Sequence, residues 1–318
     1  MKVRSLFRHP WVGPLIALVV VYLVFVVLRP ETFARPVNLV TMLRQTVVVG
    51  IAAVGMTVII VSGGIDLSVG SQVALTTVVV AMTLKGGSGP WTASLAGVGM
   101  ATAAGCITGL LIVGLKMRPF IVTLGSMSIL RGVAQGFSKE QKIDAPAKGL
   151  DDLLAVLPPN KAWMLVPTGV WTLLAVALLV AFVLRYTAFG RHVFAIGSNE
   201  QTARLCGVRV PWVKIAVYTL AGLLAGVAGV MEFGTLTVGD PTDSIGLELE
   251  VIAAVVIGGG SLSGGEGSIL GALIGAFLMT VIKTGATYVG LPSWVQQIET
   301  GVIIVLAVAA DRIRHRRA

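Results

Sequence analysis

Long uncharged stretches, separated by short charged or glycine-rich interruptions, set the pattern of this chain. The apolar stretches fall at 11–28, 39–61, 69–84, 91–115, 119–137, 163–184, 215–236, 249–260, 268–288 and 294–310. A helix needs about 20 mainly apolar residues to cross a bilayer core. The pattern therefore predicts an all-α, polytopic transmembrane bundle of about ten spans, forming a single domain over 1–318. The stretches at 69–84 and 249–260 are too short to cross unaided, which predicts broken or half helices there. Trp11–Leu28 follows Lys2, Arg4 and Arg8 and is followed by Arg29-Pro30-Glu31-Thr32. That flank lacks the small-residue cleavage site of a secretory signal, so the run reads as an uncleaved first span.

Composition sharpens the picture. Of 318 residues, 55% are hydrophobic and 12% charged, about half the charge of an ordinary soluble domain. That balance excludes a soluble globular enzyme. Aromatics at 6%, with only four Tyr, argue against a β-barrel with aromatic girdles. The net charge of +9 comes without a basic stripe interleaved with aromatics, so no nucleic-acid partner is expected. It fits instead the accumulation of Lys and Arg in cytoplasmic loops. With both termini inside, fourteen basic residues lie on the cytoplasmic side: Lys2, Arg4, Arg8, Lys116, Arg118, Arg185, Arg191, Arg204, Arg209, Lys214, Arg312, Arg314, Arg316 and Arg317. Seven lie outside, together with nine acids that include Asp240, Asp243, Glu248 and Glu250. Cys106 and Cys206 are too far apart in sequence to suggest a disulfide framework or a zinc site. His9, His192 and His315 are scattered through basic segments, so no metal centre is expected.

Two of the interruptions resemble each other. The first is Ser62-Gly63-Gly64-Ile65-Asp66-Leu67-Ser68-Val69-Gly70-Ser71 and the second Gly258-Gly259-Gly260-Ser261-Leu262-Ser263-Gly264-Gly265-Glu266-Gly267-Ser268. Both carry Gly-Gly, then Leu-Ser, then Gly, in the same membrane sense. Corresponding glycine-interrupted segments in two halves are what an internally repeated transporter presents. Irregular backbone at membrane depth survives where protein buries it or a wet cavity lies beside it. The other reading is that these glycines permit a reversal or tight helix packing. Packing is also the reading for the spaced glycines Gly222, Gly226 and Gly229, and Gly267, Gly271 and Gly275. Leu262-Ser263-Gly264-Gly265-Glu266 looks like the signature loop of ABC-type ATPases. No Gly-x-x-x-x-Gly-Lys-Ser/Thr loop accompanies it, so this chain is not expected to bind ATP.

The longest basic loop, 185–214, contains Gly190, Arg191, Gly197, Ser198, Asn199, Glu200, Ala203, Arg204 and Gly207. Ser198 or Asn199 can cap a short helix, Glu200 suits its first turn and Gly207 can end it. About two turns of helix are marginal in water unless they pack on something, which leaves the membrane domain itself or a partner protein.

This loop resembles the coupling segment of monosaccharide ABC-importer permeases of the ribose type. The resemblance covers nearly the whole chain. It includes Gly63-Gly64-Ile65-Asp66-Leu67-Ser68-Val69-Gly70, Pro119-Phe120-Ile121-Val122-Thr123-Leu124-Gly125, Glu248–Gly259 and Ile303–Asp311. It implies a multi-pass protein of the bacterial inner membrane that pairs with a second permease copy or a paralogue. It further implies ABC ATPase subunits on the cytosolic side, which bind the ATP and Mg, and a periplasmic sugar-binding protein outside. No cofactor would be bound by this chain. The segment Gly190, Arg191, Gly197, Asn199, Glu200, Ala203, Arg204 and Gly207 would meet the ATPase, with a helix around Asn199–Gly207 seated in its cleft. Candidates for the translocation pathway are Asp66, Ser68, Ser71, Gln72, Ser126, Ser128 and Arg131. The structural breaks are Gly63, Gly64, Gly70, Gly258, Gly259, Gly264 and Gly265. For Asp66, capping the helix after a Gly turn is the competing role.

Ionisable residues within spans are costly and mark candidate sites. Arg131 either faces a wet vestibule or snorkels outward. Glu232, Lys283 and Glu299 depart from the family pattern; Lys283 and Glu299 either pair across the last two spans or snorkel separately without meeting. Two other classes remain open on sequence alone. An ion-coupled secondary transporter of a small polar solute would use Asp66 as its buried acid. An intramembrane enzyme would need a His pair, a Cys–His arrangement or close acids within one span, none of which is apparent.

Overall fold

Residues 11–315 are described by a computed structural model; Lys2, Arg4, Arg8, His9, Arg316 and Arg317 lie outside them. Each of the ten apolar stretches holds a helix. The order is α1 (Val12–Leu28), α2 (Pro30–Phe33), α3 (Pro36–Val61), α4 (Val69–Lys85), α5 (Pro90–Leu115), α6 (Pro119–Ser138), α7 (Thr168–Tyr186), α8 (Ala188–Ser198), α9 (Glu200–Leu205), α10 (Val210–Leu236), α11 (Leu247–Ile257), α12 (Ile269–Val289) and α13 (Ser293–His315). Six of them, α3, α5, α6, α7, α10 and α12, are long and apolar enough to cross a membrane. α1, α4 and the apolar part of α13 are shorter. α11, at 11 residues, spans about 17 Å at 1.5 Å per residue and is a half helix.

Local chemistry explains many of the ends. Proline stands in the first turn of α3, α5, α6 and α10, where its missing N–H costs nothing. Three helices begin on a side-chain cap: Thr187 accepts from Gly190 N, Asn199 from Thr202 N and Ser268 from Gly271 N. α7 starts at Thr168, five residues later than the apolar run suggests. Pro167 has no N–H to extend the helix backwards, and Pro159–Met164 instead forms a 3-10 turn.

α3 is the central post: every residue from Thr46 to Val61 except the half-buried Val49 is buried. α10, α11, α12 and α7 surround it. Lipid cannot drive helices together as water does, so small residues at the contacts matter most. α10 lies backbone to backbone on α5, where a Cβ at Gly222 would sit 3.0 Å from Gly105 Cα and one at Gly109 3.0 Å from Ile215 Cα. Gly275 leaves room for Ala254, and Gly258 and Gly271 face each other. The glycine rows of α10 and α12 are thus packing surfaces, as their spacing suggests.

At one end the long connections are tied together. Ile143 pairs with Gly239 and Asp144 with Val238 in a two-residue antiparallel ladder, β1 (Ile143–Asp144) with β2 (Val238–Gly239). Lys142 Nζ lies 2.9 Å from Asp240 Oδ2, and Lys148 donates to the carbonyls of Gly87 and Ser88. Arg131 reaches from α6 to the same place, donating to the carbonyls of Pro241 and Asp243.

Candidate functional site: the 185–214 segment, the two breaks and a chamber

The loop 185–214 is mostly helix. Besides the short helix expected after Asn199, an eleven-residue helix, α8, precedes it. α8 buries Gly190, Val193 and Ile196, an i, i+3, i+6 face that the polar neighbours Arg191 and His192 disguise in sequence. Gly190 is bare because the Leu184 backbone lies against it. Asn199 caps α9 at 2.9 Å from Thr202 N, and Gly207 adopts φ +85° just beyond its end. Glu200 is held from two sides, by Arg204 at 3.2 Å and by Lys214 of α10 at 2.7 Å. Ala203 is buried, whereas Arg191, Asn199, Arg204 and Gly207 are exposed. Leu205, 88% exposed, offers an unpartnered apolar side chain at the end of α9.

The two breaks meet each other and this segment. Gly63 adopts φ +81° and Gly264 and Gly265 adopt +87° and +77°, conformations that favour glycine. Gly265 N donates to Val61 O at 2.9 Å. A Cβ on Gly264 would lie 2.9 Å from Gly63 Cα and 3.1 Å from Gly197 Cα, and one on Gly265 3.1 Å from Ser198 Cα. The end of α8 therefore fits between the end of α3 and the turn-rich loop Gly258–Ser268. The C-terminal helix joins them, since Asp311 accepts from Leu262 N and Ser261 Oγ. The stretch that mimics an ATPase signature is this loop.

Beyond the first break, Asp66 organises the start of α4. Its Oδ1 accepts from Ser68 N at 2.7 Å and Ser68 Oγ at 2.6 Å, and its Oδ2 from Gln72 Nε2 at 3.3 Å. Asp66, Ser68, Ser71 and Gln72 are all buried, and among the described residues Ser71 Oγ, Gln72 Oε1 and the nearby Tyr218 hydroxyl find no hydrogen-bond partner. Gly64 is bare because Tyr218 Oη occupies the place of its side chain. Gly70 faces the Ser244 carbonyl and the Glu248 carboxylate. Of the other candidates, Ser126 is buried and accepts from Thr108, while Ser128 is exposed and donates to Leu124 O. The structure brings Asp66, Ser68, Ser71 and Gln72 together; Ser126 and Ser128 lie on α6, which packs along α4 and whose Thr123 donates to Ile65 O.

The open space lies elsewhere, between α3, α10, α11, α12 and α13. One lobe of about 420 Å³ is lined by Asn38, Thr41, Gln45, Glu250, Thr280, Lys283, Thr284 and Gln296, among others. A second of about 290 Å³ includes Gln45, Glu232, Asp243, Glu250 and Lys283. A third, about 420 Å³, runs from Glu250 and Lys283 to Gln297 and Glu299. Glu250 and Lys283 belong to all three lobes, so these form one chamber. Lys283 pairs with Glu250 at 2.8 Å, which corrects the pairing with Glu299 that the sequence allows. α11 packs directly along α12, and the register places Glu250 rather than Glu299 at the ammonium. Among the described residues no group of three His, Cys, Asp or Glu is placed to hold a metal.

The comparisons with known proteins agree in kind. Residues 38–308 match the family described as branched-chain amino acid transport system / permease component. The chain is 39% identical over 311 residues to the ribose import permease protein of Escherichia coli (strain K12), covering 97% of this chain and 96% of the relative. It is 37% identical over 301 residues to the ribose import permease protein of Bacillus subtilis (strain 168), covering 94% and 92%. A fructose import permease protein of Rhizobium meliloti is 35% identical over 312 residues, 96% and 86% of the two chains. No solved structure matches. Six helices able to cross a membrane, in a chain so close to import permeases over its whole length, make this a multi-pass inner-membrane protein. The chain therefore belongs to this transport-system permease family, and the ribose and fructose import permeases above are similar to it over nearly its whole length.

Proposed function

We propose that this chain is the membrane-spanning subunit of an ABC importer for a monosaccharide, a ribose-like pentose or a hexose delivered by an extracellular or periplasmic binding protein. The whole chain, 1–318, acts as one permease domain of about ten spans with both termini cytoplasmic, and the two breaks are corresponding elements of two repeated halves. It works as a dimer with a second copy or a paralogue. It is not itself an enzyme, and it binds no cofactor: ATP and Mg belong to the partner ATPases. α8 and α9 receive the closure of the ATPases and pass it to the ends of α3 and α12, rocking the permease between inward-facing and outward-facing forms. A loaded binding protein shifts that equilibrium only by its differential affinity for the two forms.

The observation that carries this reading is the seat of Gly197 between Gly63 and Gly264. A cytosolic helix pair that contacted only lipid or solvent could not move the interior; this one abuts both irregular segments at once. An ion-coupled carrier would need no such exposed helix. The test is purification from native membranes in mild detergent, identifying the proteins that co-elute. An ABC-type ATPase is expected, and Leu205→Asp is expected to abolish its association while leaving the Glu200 pairs intact. Glu200→Arg is a weaker probe, because it also breaks the tie to Lys214. A chain that elutes alone and moves solute in liposomes without ATP would overturn the reading.

A further inference from the structure

Two irregular segments of the chain are each gripped by an arginine that stands inside an apolar helix. Arg44 of α3 donates to the Leu154 carbonyl, and Arg131 of α6 donates to the carbonyls of Pro241 and Asp243 at 2.8 and 2.6 Å. Arg131 lies seven residues before the end of α6, about 10 Å along its axis. Irregular backbone at such a depth needs its polar groups satisfied by protein. The two segments are otherwise held in different ways. At 150–154, Leu150 and Leu154 are 8% and 3% exposed and belong to the packed clusters, so apolar burial wedges this segment in place. At 240–246, the one long apolar side chain, Ile245, is 72% exposed. That segment hangs on polar ties: Arg131, the Lys142–Asp240 pair at 2.9 Å, and Asp240 N on Thr77 Oγ1 at 3.3 Å. Its other backbone bonds are local, such as Asp243 N to Asp240 O and Leu247 N to Ser244 O. Thr237, Ser244 and Gly246 adopt φ +55°, +57° and +88°, and non-glycine residues stay in that region only while their surroundings hold them.

This segment is also a partition. On one side Asp243, Ser244 and Ile245 line the second lobe of the chamber, and Ile245 and Gly246 line the third. On the other side the Ser244 carbonyl and the Glu248 carboxylate cover Gly70 at the start of α4, which has no side chain to obstruct them.

We propose that 240–246 is a strap closing the chamber against α4 and α6, and that Arg131 is the positioning residue that latches it. Release exchanges a few polar ties and strips little apolar surface. The guanidinium is not stranded when it lets go, because Glu248 is the carboxylate that acts on it most strongly and takes it over. The strap therefore has two arrangements, carbonyls on Arg131 when closed and an Arg131–Glu248 pair when open. This rests on the importer reading and adds the segment that moves.

Two readouts test the latch and the strap separately. The first needs no ATPase and follows amide exchange, relative to the unstructured-peptide rate, in the purified full chain in nanodiscs. In Arg131→Gln, exchange over 240–246 is expected to quicken about tenfold, the equivalent of one charge-assisted hydrogen bond, with 150–154 unchanged. Arg131→Lys keeps the charge without the planar fork and should fall between. Unchanged exchange over 240–246 overturns the latch. The second keeps Arg131 and so decides the matter if those variants fail to fold. It places Ser244→Cys in a chain whose Cys106 and Cys206 are replaced by Ser, reconstituted with its ATPase and binding protein. A hydrophilic thiol reagent is expected to label this cysteine several-fold faster during ATP turnover than at rest, whereas Leu153→Cys, also half-buried, should label equally in both. Labelling at Ser244→Cys that ignores ATP while ATP-driven uptake continues overturns the strap and leaves the importer reading standing. Loss of ATP-driven uptake with the native residues in place overturns the importer reading, and with it the strap's role in transport.

Discussion

At the scale of single residues, the tie between Lys142 and Asp240 gives a dependence on pH whose sign follows from its chemistry. The hydrogen bond and charge of Asp240 raise the Lys142 ammonium above its ordinary value. Burial alone would push the Asp240 carboxyl up, but the bonds from Lys142 and from the Thr242 hydroxyl and amide outweigh it and leave the group below its ordinary value. A depressed acid stabilises the fold above its unfolded value and loses that contribution as pH falls through its folded value; a raised base loses its contribution as pH rises through its own. The tie should therefore hold between about pH 4 and pH 10. Amide exchange in the β1–β2 ladder, taken relative to the unstructured-peptide rate at the same pH, is expected to be slow in that window and to quicken below it. In Lys142→Ala it should be fast throughout. Exchange in the native chain that ignores acidification would remove this role for the pair. Asp66 shows the opposite situation, a carboxylate satisfied entirely by neutral donors one or two turns away. The Gly-Gly-Ile-Asp-Leu-Ser run announces an Asx turn, because Asp accepting from the backbone two residues on is a local geometry; the helix is entered at Ser68 without a side-chain cap, so Asp66 does not take the capping role expected of it.

At the scale of elements, the α5–α10 contact is where a small change should cost most. A Cβ at Gly222 meets the Ala101 carbonyl and lies 3.0 Å from Gly105 Cα, and two packed backbones cannot yield as a flexible side chain can. Gly222→Ala is expected to lower stability by about 1–3 kcal/mol, read as a lower melting temperature in detergent. Gly99→Ala on the same α5, where nothing lies within 4 Å of the added carbon, should be neutral or slightly stabilising. Equal effects would deny that glycine holds these helices together. The positions of the apolar helices were legible, and six of them are long and apolar enough to cross a membrane, because an apolar run that long has few other uses. α8 was not legible as a helix, since its buried face is only Gly190, Val193 and Ile196 among basic and polar neighbours. Nor was the partner of Lys283, because helix spacing gives the face of a residue but not which helix lies against that face. The chamber was least visible of all. Its walls come from residues as far apart as Asn38 and Glu299, which share no motif and acquire a common meaning only once α3, α11, α12 and α13 are assembled.

At the scale of the whole molecule, the question is whether α8 pushes the two breaks as one body or slides past them. The contacts favour one body. Gly265 N bonds Val61 O at 2.9 Å, and the backbones at Gly63, Gly197 and Gly264 interlock without side chains between them. Such close-packed contacts have few alternative arrangements, so a shift at one is carried to the others. A disulfide can test this directly. The Cβ built at Gly265 lies 3.4 Å from Ser198 Cβ, near the short end of the distance a disulfide bridges. Gly265 has φ +77°, so a cysteine there costs about 1–2 kcal/mol, a burden the bond's own constraint can offset. The design is Ser198→Cys with Gly265→Cys in a chain whose exposed Cys206 is replaced by Ser, reconstituted with its ATPase and binding protein. If α8 and the second break travel together, the bond should form readily, and ATP-driven uptake should be the same before and after reduction. If uptake stops on oxidation and returns with a reductant, the segment must slide over the break during the cycle. Transmission would then run through the Asn199 junction into α9 and α10, where Glu200 grips Lys214 at 2.7 Å, and the route through the glycine breaks would be wrong.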